Sequence, residues 1–138
     1  MRSFLDTNIL VYLFDAAAPA KQQRARALID EHARGGTLVL STQVLQEFFV
    51  SVTRKLSQPL PAAAGLEALR HLMAFSVVQV TPTLILLAAQ RSGREMVSFW
   101  DALIIECALS SGTSILYSED MQHTQELDGL RIVNPFRA

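Results

Sequence analysis

The sequence has very little cysteine and no excess of positive charge. Its 138 residues contain one cysteine, Cys107, which excludes an intramolecular disulfide and a zinc site built on cysteines. Cys107 lies in an apolar run, where we expect a buried and inert thiol. The formal net charge is −1, whereas nucleic-acid-binding proteins commonly have a basic excess. The charge balance therefore counts against nucleic acid, unless a cluster of acids that binds metal accounts for part of the deficit.

Long apolar runs are also lacking. Met1-Arg2 and the apolar residues after it imitate the start of a signal peptide, but Asp6, Asn8 and Asp15 interrupt the apolar core that such a segment needs. No run reaches the roughly 20 residues of a membrane-spanning helix. Half of the residues are hydrophobic and 18% are charged, which excludes general disorder. We therefore expect a soluble, intracellular (cytoplasmic) protein without membrane attachment.

Length and hydrophobic periodicity predict one domain over residues 1–138. Short apolar runs predict five strands, at residues 2–5, 37–40, 77–80, 115–117 and 130–133. Between them, apolar residues recur at helical spacing behind capping residues such as Ser41, Thr81 and Ser98. Strands that alternate with helices require crossover connections. We therefore predict an α/β fold in which helices cover both faces of a mostly parallel five-stranded sheet, a three-layer α/β/α domain.

Four acids fall near one edge of this predicted sheet. Asp6 directly follows the first strand, and Asp120 lies three residues beyond the fourth. Asp101 lies in the first turn of the helix that Ser98 caps, and Glu47 lies on the helix after the second strand. Ligands of α/β proteins bind where the carboxyl ends of parallel strands meet. We therefore expect the four carboxylates to lie close together.

Each acid also has an ordinary structural explanation. Asp6 suits a helix N-cap, Asp120 a turn, and Asp101 a capping box with Ser98, while Glu47 suits a solvated helix surface. Their joint placement favours a metal site, because crowded carboxylates repel one another until a cation neutralises them. Carboxylate oxygens are suitable ligands for Mg²⁺ or Mn²⁺, which also bind substrate phosphates. Such a site supports phosphodiester hydrolysis.

Several neighbouring polar residues are candidates to support this site. Thr7, Asn8 and Ser118 have short polar side chains that could orient water or a carboxylate, and Glu119 adds an acid beside Asp120. Four bases are candidates to contact a phosphate backbone, although each could equally be a solvated helix end. They are Arg54, Lys55, Arg91 and Arg94.

With these residues in place, the chain resembles the PIN-domain ribonucleases, especially the VapC-type toxins of bacterial toxin–antitoxin pairs. The resemblance covers nearly the whole chain. It rests on Asp6-Thr7-Asn8-Ile9-Leu10, Glu47, Phe99-Trp100-Asp101-Ala102-Leu103-Ile104 and Ser118-Glu119-Asp120, in this order and spacing. It implies a PIN-like fold and a quartet of Asp6, Glu47, Asp101 and Asp120 that binds Mg²⁺ or Mn²⁺ and cleaves single-stranded RNA. It also implies a homodimer held inactive by a cognate antitoxin protein.

Three alternatives stay open at this point. A haloacid-dehalogenase-like phosphohydrolase also has an Asp after its first strand, but it needs a second Asp where this chain has Asn8, and it needs a distant lysine. A receiver domain is also an α/β fold with acids at the strand ends, but it needs a late lysine for which this chain has no good candidate. A non-catalytic RNA- or protein-binding domain could share the fold. After Asp120, Met121-Gln122-His123 replaces the aromatic residue frequent in the family, which leaves open whether Glu119 or Asp120 is the closer ligand; we expect Asp120.

Overall fold

Residues 1–137, which are the residues that the computed structural model describes, contain six strands and six α-helices. The strands are β1 (Ser3–Leu5), β2 (Leu38–Ser41), β3 (Ser76–Val78), β4 (Ile115–Tyr117), β5 (Glu126–Leu127) and β6 (Leu130–Val133). The helices are α1 (Thr7–Val11), α2 (Pro19–Gly35), α3 (Thr42–Val50), α4 (Ala62–Leu72), α5 (Pro82–Glu95) and α6 (Phe99–Ser110). A 3₁₀ turn (Tyr12–Phe14) follows α1, and a π-helical turn (Ser51–Lys55) follows α3.

The strands form one sheet in the order β3-β2-β1-β4-β6-β5. All neighbouring pairs are parallel except β5 and β6, so the predicted α/β fold with a mostly parallel sheet is confirmed. The predicted number of five strands is wrong, because the two-residue strand β5 forms a hairpin with β6. Asp128 (φ 53°) and Gly129 (φ 88°) make the turn, and this pair is typical of tight hairpins. Two residues are too few to show an alternating pattern, and the sequence therefore gave no periodic signal for β5.

The strand order fixes where a ligand can bind. After β1 the chain adds β2 and β3 beside one edge of β1, and it then returns to add β4 beside the other edge of β1. The two neighbours β1 and β4 thus mark the point where the connections change direction. The main-chain nitrogen of Asp6 donates to the carbonyl of Tyr117 at 2.9 Å, which joins the carboxyl ends of these strands. In open α/β sheets this junction is the usual ligand site.

The helix α6 forms much of the core. Its residues from Ala102 to Ala108 are all buried, as expected of a helix that is apolar nearly all round. Burial raises the pKa of Cys107 to about 11, with a further contribution from the charge of Glu106, in agreement with the expected inert thiol. Asp101 lies in the first turn of this buried helix, so the core holds its position. Within residues 1–137, none of the helices is both long and apolar enough to cross a membrane.

The buried position of Arg91 does not agree with the prediction from the sequence that this residue contacts RNA. Its side chain is 4% exposed, and its guanidinium binds three carboxylates. Its partners are Glu106 at 3.0 Å, Glu95 at 2.8 Å and Asp128 at 2.8 Å. The guanidinium therefore joins α5, α6 and the β5–β6 turn and is not available to a phosphate backbone. Sequence spacing could not show this, because Glu106 and Asp128 reach Arg91 only through the tertiary fold.

Replacing Arg91 by methionine should destabilise the protein strongly. Arg91→Met leaves Glu106, whose side chain is 10% exposed, without its cation, and such losses typically cost about 3 kcal/mol. Arg94→Met is the matched control, since the Arg94 side chain is 64% exposed and its loss should change stability by less than about 0.5 kcal/mol. Urea unfolding followed by circular dichroism measures both. Equal stabilities of the two variants would contradict the structural role of Arg91.

Candidate metal centre

Asp6 is both a helix cap and a buried acid. It lies between β1 and α1, and its Oδ1 accepts a hydrogen bond from the main-chain nitrogen of Thr7 at 2.7 Å. Its Oδ2 accepts from the hydroxyl of Ser118 at 2.7 Å. Only 7% of the residue is exposed. The structural explanation of Asp6 as an N-cap is therefore correct, and it leaves a carboxylate held by neutral donors.

The pKa of Asp6 indicates that other acids lie near it. Burial raises it from 3.8 to about 6, against the opposing effect of the hydrogen bonds from Ser118 and Thr7. The negative charges of Asp101 and Glu47 raise it further. The fold thus brings three of the four predicted acids within electrostatic reach of one another, although they are distant in sequence.

Glu47 is fixed by two neutral donors. The hydroxyl of Thr7 donates to its Oε1 at 2.7 Å, and the amide nitrogen of Gln43 lies 3.4 Å from its Oε2. Thr7 therefore serves two acids at once, with its main-chain nitrogen on Asp6 and its hydroxyl on Glu47. Gln43 precedes Glu47 by one helical turn on α3, a spacing that places both side chains on one face.

Asp101 occupies the first turn of α6. Its main-chain nitrogen donates to the hydroxyl of Ser98 at 3.1 Å, which confirms Ser98 as the cap of this helix. The carboxylate of Asp101 belongs to the lining of a cleft. Burial raises the pKa of Asp101, and so do the charges of Asp120 and Glu47, whereas a hydrogen bond with Ser98 lowers it.

Asp120 is held by the residues that follow β1 and β4. The amide nitrogen of Asn8 donates to its Oδ2 at 2.9 Å. Ser118, which is fully buried, accepts from the main-chain nitrogen of Asp120 at 3.3 Å while it donates to Asp6. Asn8 and Ser118 therefore hold Asp120 on the side of the cleft where Asp6 lies.

Glu119 does not face the other acids. Its carboxylate accepts from the hydroxyl of Tyr12 at 2.5 Å and pairs with Lys21. Burial alone would raise the pKa of Glu119, but the hydrogen bonds from Lys21 and Tyr12 lower it. Of the two neighbouring acids, Asp120 lines the cleft and Glu119 does not, and Asp120 stays the predicted closer ligand.

The four acids share one open cleft of about 620 Å³. The residues that line it are Asp6, Thr7, Asn8, Val11, Tyr12, Asp15, Gln46, Glu47, Val50, Ser51, Lys55, Asp101 and Asp120. Among residues 1–137, no lysine, arginine or histidine forms an ion pair with any of the four acids. In the same residues, no three His, Cys, Asp or Glu side chains form a ready-made metal cage. The donor set nevertheless fits a hard divalent cation, because it consists of uncompensated carboxylate oxygens.

The predicted RNA-contacting bases do not share one location. Lys55 lines the cleft, whereas Arg94 binds Glu95 on the surface and Arg91 is buried. Sequence reasoning missed Ser51 as a residue of the cleft wall. The spacing of Glu47, Ser51 and Lys55, each four residues apart, could have indicated that they lie on one helical face.

The family of the chain follows from sequence comparison. The sequence model of the PIN domain matches residues 3–127, which include all four acids. The chain therefore belongs to the PIN domain family. A search of curated proteins finds no match.

Solved structures with a similar fold include a VapC toxin and toxin–antitoxin complexes. VapC20 of Mycobacterium tuberculosis, a toxin that cleaves the sarcin-ricin loop, aligns with a TM-score of 0.69 and 22% identity over 86% of this chain and 89% of its own. A toxin–antitoxin complex from Klebsiella pneumoniae gives 0.68 and 18% over 99% of both chains. A DNA-bound VapBC complex from Salmonella typhimurium gives 0.67 and 17% over 96% of both chains. At these identities the similarity establishes the fold.

Asp6→Asn should stabilise the metal-free protein at neutral pH. The folded-state pKa of Asp6, about 6, lies above its ordinary value of 3.8, so the folded state binds the proton more tightly. The resulting stability is present below pH 3.8 and is lost as the pH rises through 6. Asparagine does not ionise and avoids this loss, which amounts to at most about 3 kcal/mol. Urea unfolding in EDTA should show the variant more stable at pH 7.5 and nearly equal to wild type at pH 4; a less stable variant at pH 7.5 would contradict the expectation.

Proposed function

We propose that this protein is an Mg²⁺- or Mn²⁺-dependent endoribonuclease that hydrolyses phosphodiester bonds of single-stranded RNA. The observation that carries the proposal is the convergence of four carboxylates on one cleft at the β1–β4 junction, where none of them forms an ion pair with a lysine, arginine or histidine of residues 1–137. Membership of the PIN domain family supports the same chemistry.

Each residue of the site has a role in this proposal. Asp6, Glu47, Asp101 and Asp120 would hold the divalent cation. When bound, the cation supplies an activated water and stabilises the charge that develops on the departing oxygen. The hydroxyl of Thr7 keeps Glu47 turned to the cleft, while Asn8 and Ser118 keep Asp120 beside Asp6. Ser98 caps the helix that presents Asp101.

The cleft favours an unpaired strand as the substrate. Its volume of about 620 Å³ is in the range of pockets for small organic ligands, so it suits one or two nucleotides and not a double helix. Lys55 on its wall is the candidate to contact a phosphate in this proposal, and Arg54, also exposed, is its neighbour in the chain. The formal net charge of −1 gives no general attraction for RNA. Lys55 and Arg54 would therefore have to attract the phosphates locally, against the negative charge of the four acids.

The partner proposed for this enzyme is an antitoxin protein. Two of the structural neighbours are toxin–antitoxin complexes, from Klebsiella pneumoniae and Salmonella typhimurium. A homodimer in the cytoplasm belongs to the same proposal. The helix α5 offers apolar surface for such contacts, since Ile85, Leu86 and Leu87 are 44%, 59% and 40% exposed.

Asp6→Asn and Asp101→Asn should each reduce RNA cleavage by roughly 100-fold or more, because each removes a carboxylate charge from the cation site. The matched control is Asp30→Asn, which removes an exposed acid on α2. Cleavage of a labelled single-stranded RNA in Mg²⁺ or Mn²⁺ measures all three. Asp30→Asn should cleave like wild type. Full activity of Asp6→Asn and Asp101→Asn would refute the proposal.

The same assay separates the proposed activity from the alternatives. Cleavage should stop in EDTA and return when Mn²⁺ is added in excess. A generic phosphomonoester offered with Mn²⁺ should remain intact. Release of phosphate without strand scission would instead support a phosphohydrolase, and RNA binding without either reaction would support a non-catalytic domain.

Lys55→Gln should weaken binding of RNA in a salt-dependent manner. If Lys55 contacts one phosphate, its loss should reduce the slope of log affinity against log salt by about 0.7, the value for one contact to a single strand. Arg70→Gln is the control, because Arg70 lies on α4 and pairs with Glu67. Binding of a fluorescent RNA to the Asp6→Asn background, which should not cleave it, gives both slopes. An unchanged slope for Lys55→Gln would exclude this contact.

A further inference from the structure

Gln43 has a buried side chain that the proposed chemistry does not yet use. The residue is 5% exposed and lies on α3, one turn before Glu47. Its amide nitrogen lies 3.4 Å from Oε2 of Glu47 and 3.3 Å from the main-chain carbonyl oxygen of Trp100. Its amide oxygen is buried and has no hydrogen-bond partner among residues 1–137. Gln43 therefore bridges α3 and the first turn of α6.

The chemistry of the neighbours fixes which way the amide points. A carboxylate oxygen and a carbonyl oxygen can only accept hydrogen bonds, so the donating nitrogen must face them. The opposite orientation would bring the amide oxygen against two other oxygens. The amide oxygen has no partner because the amide nitrogen faces Glu47 and the carbonyl of Trp100.

A purely apolar side chain would satisfy packing better at this position. Burial of a polar atom without a partner lowers stability, and methionine has nearly the same length and shape as glutamine. Packing alone therefore does not explain a glutamine here. Its two donated hydrogen bonds do, because one holds an acid of the cleft and the other holds the residue before Asp101.

We infer that Gln43 is a positioning residue that fixes Glu47 relative to Asp101 and so sets the affinity of the cleft for a divalent cation. The inference rests on the proposed metal-dependent function. Thr7 holds one oxygen of Glu47 from α1, and Gln43 holds the other from α3. Without Gln43, the carboxylate rotates about its remaining partner, and the connection from α3 to the start of α6 is lost.

Gln43→Met should weaken Mn²⁺ binding about tenfold, since loss of a partner that orients a metal ligand typically has an effect of 10- to 100-fold. Electron paramagnetic resonance of free Mn²⁺ measures the affinity without any dependence on catalysis. The Mn²⁺ concentration for half-maximal RNA cleavage should rise by the same factor, and saturating Mn²⁺ should restore the rate. The melting temperature in EDTA should stay the same or rise, because the unpartnered oxygen is removed.

Two further variants make the test specific. Gln43→Asn keeps an amide group, but its side chain is one methylene shorter and cannot reach the same partners. It should lose Mn²⁺ affinity like Gln43→Met. It also keeps the test decisive if the Gln43→Met variant does not fold. Gln22→Met is the matched control, because Gln22 is a half-buried glutamine whose amide donates to the carbonyl of Leu13 at 2.8 Å. Its Mn²⁺ affinity should equal that of wild type.

The outcomes separate this inference from the proposed function. Wild-type Mn²⁺ affinity in folded Gln43→Met and Gln43→Asn would overturn the positioning role and leave the metal-dependent function standing. A lower melting temperature with unchanged Mn²⁺ affinity would assign Gln43 to packing alone and would overturn it too. If wild type itself neither binds Mn²⁺ nor cleaves RNA, the proposed function fails, and this inference fails with it.

Discussion

A buried carboxylate without a cation is the constraint on which the rest of the site depends. Asp6 lies at the carboxyl end of the central strand β1, where burial raises its pKa to about 6. A charged group in such a position is unfavourable unless it has partners. The fold supplies two hydrogen-bond donors, from Thr7 and Ser118, and among residues 1–137 no cationic side chain forms an ion pair with Asp6.

All the groups that hold the four acids are neutral. Asn8 holds Asp120, and Ser118 joins Asp120 to Asp6. From Asp6 the connections continue through Thr7, Glu47 and Gln43 to the carbonyl of Trp100, beside Asp101. Hydroxyls, amides and main-chain nitrogens fix the acids without neutralising them. The negative charge therefore remains available to a cation from solution, and its position does not depend on that cation.

The sequence predicted the parts of the fold and site that depend on local patterns. Apolar runs marked β1, β2, β3, β4 and β6, and their positions at or shortly after the carboxyl ends of strands marked Asp6 and Asp120. Prediction from the sequence failed where side chains that are distant in sequence contact one another only in the folded structure. The sequence favoured Asp120 over Glu119 without a physical reason, because that reason depends on Lys21 and Tyr12, which bind Glu119 from other elements. For the same reason, burial of Arg91 among acids from three segments was not predictable.

The chain contains a second cluster of acids, and these acids have a structural role because each forms an ion pair with the same arginine. Glu95, Glu106 and Asp128 surround one guanidinium, that of Arg91, which is 4% exposed and satisfies all three. Paired in this way, a buried acid contributes to the fold and is not left with an uncompensated charge. Among residues 1–137, none of the arginines pairs in this way with an acid of the cleft at β1 and β4. The unpaired charge there lowers the stability of the metal-free protein at neutral pH, and a bound divalent cation would offset that loss.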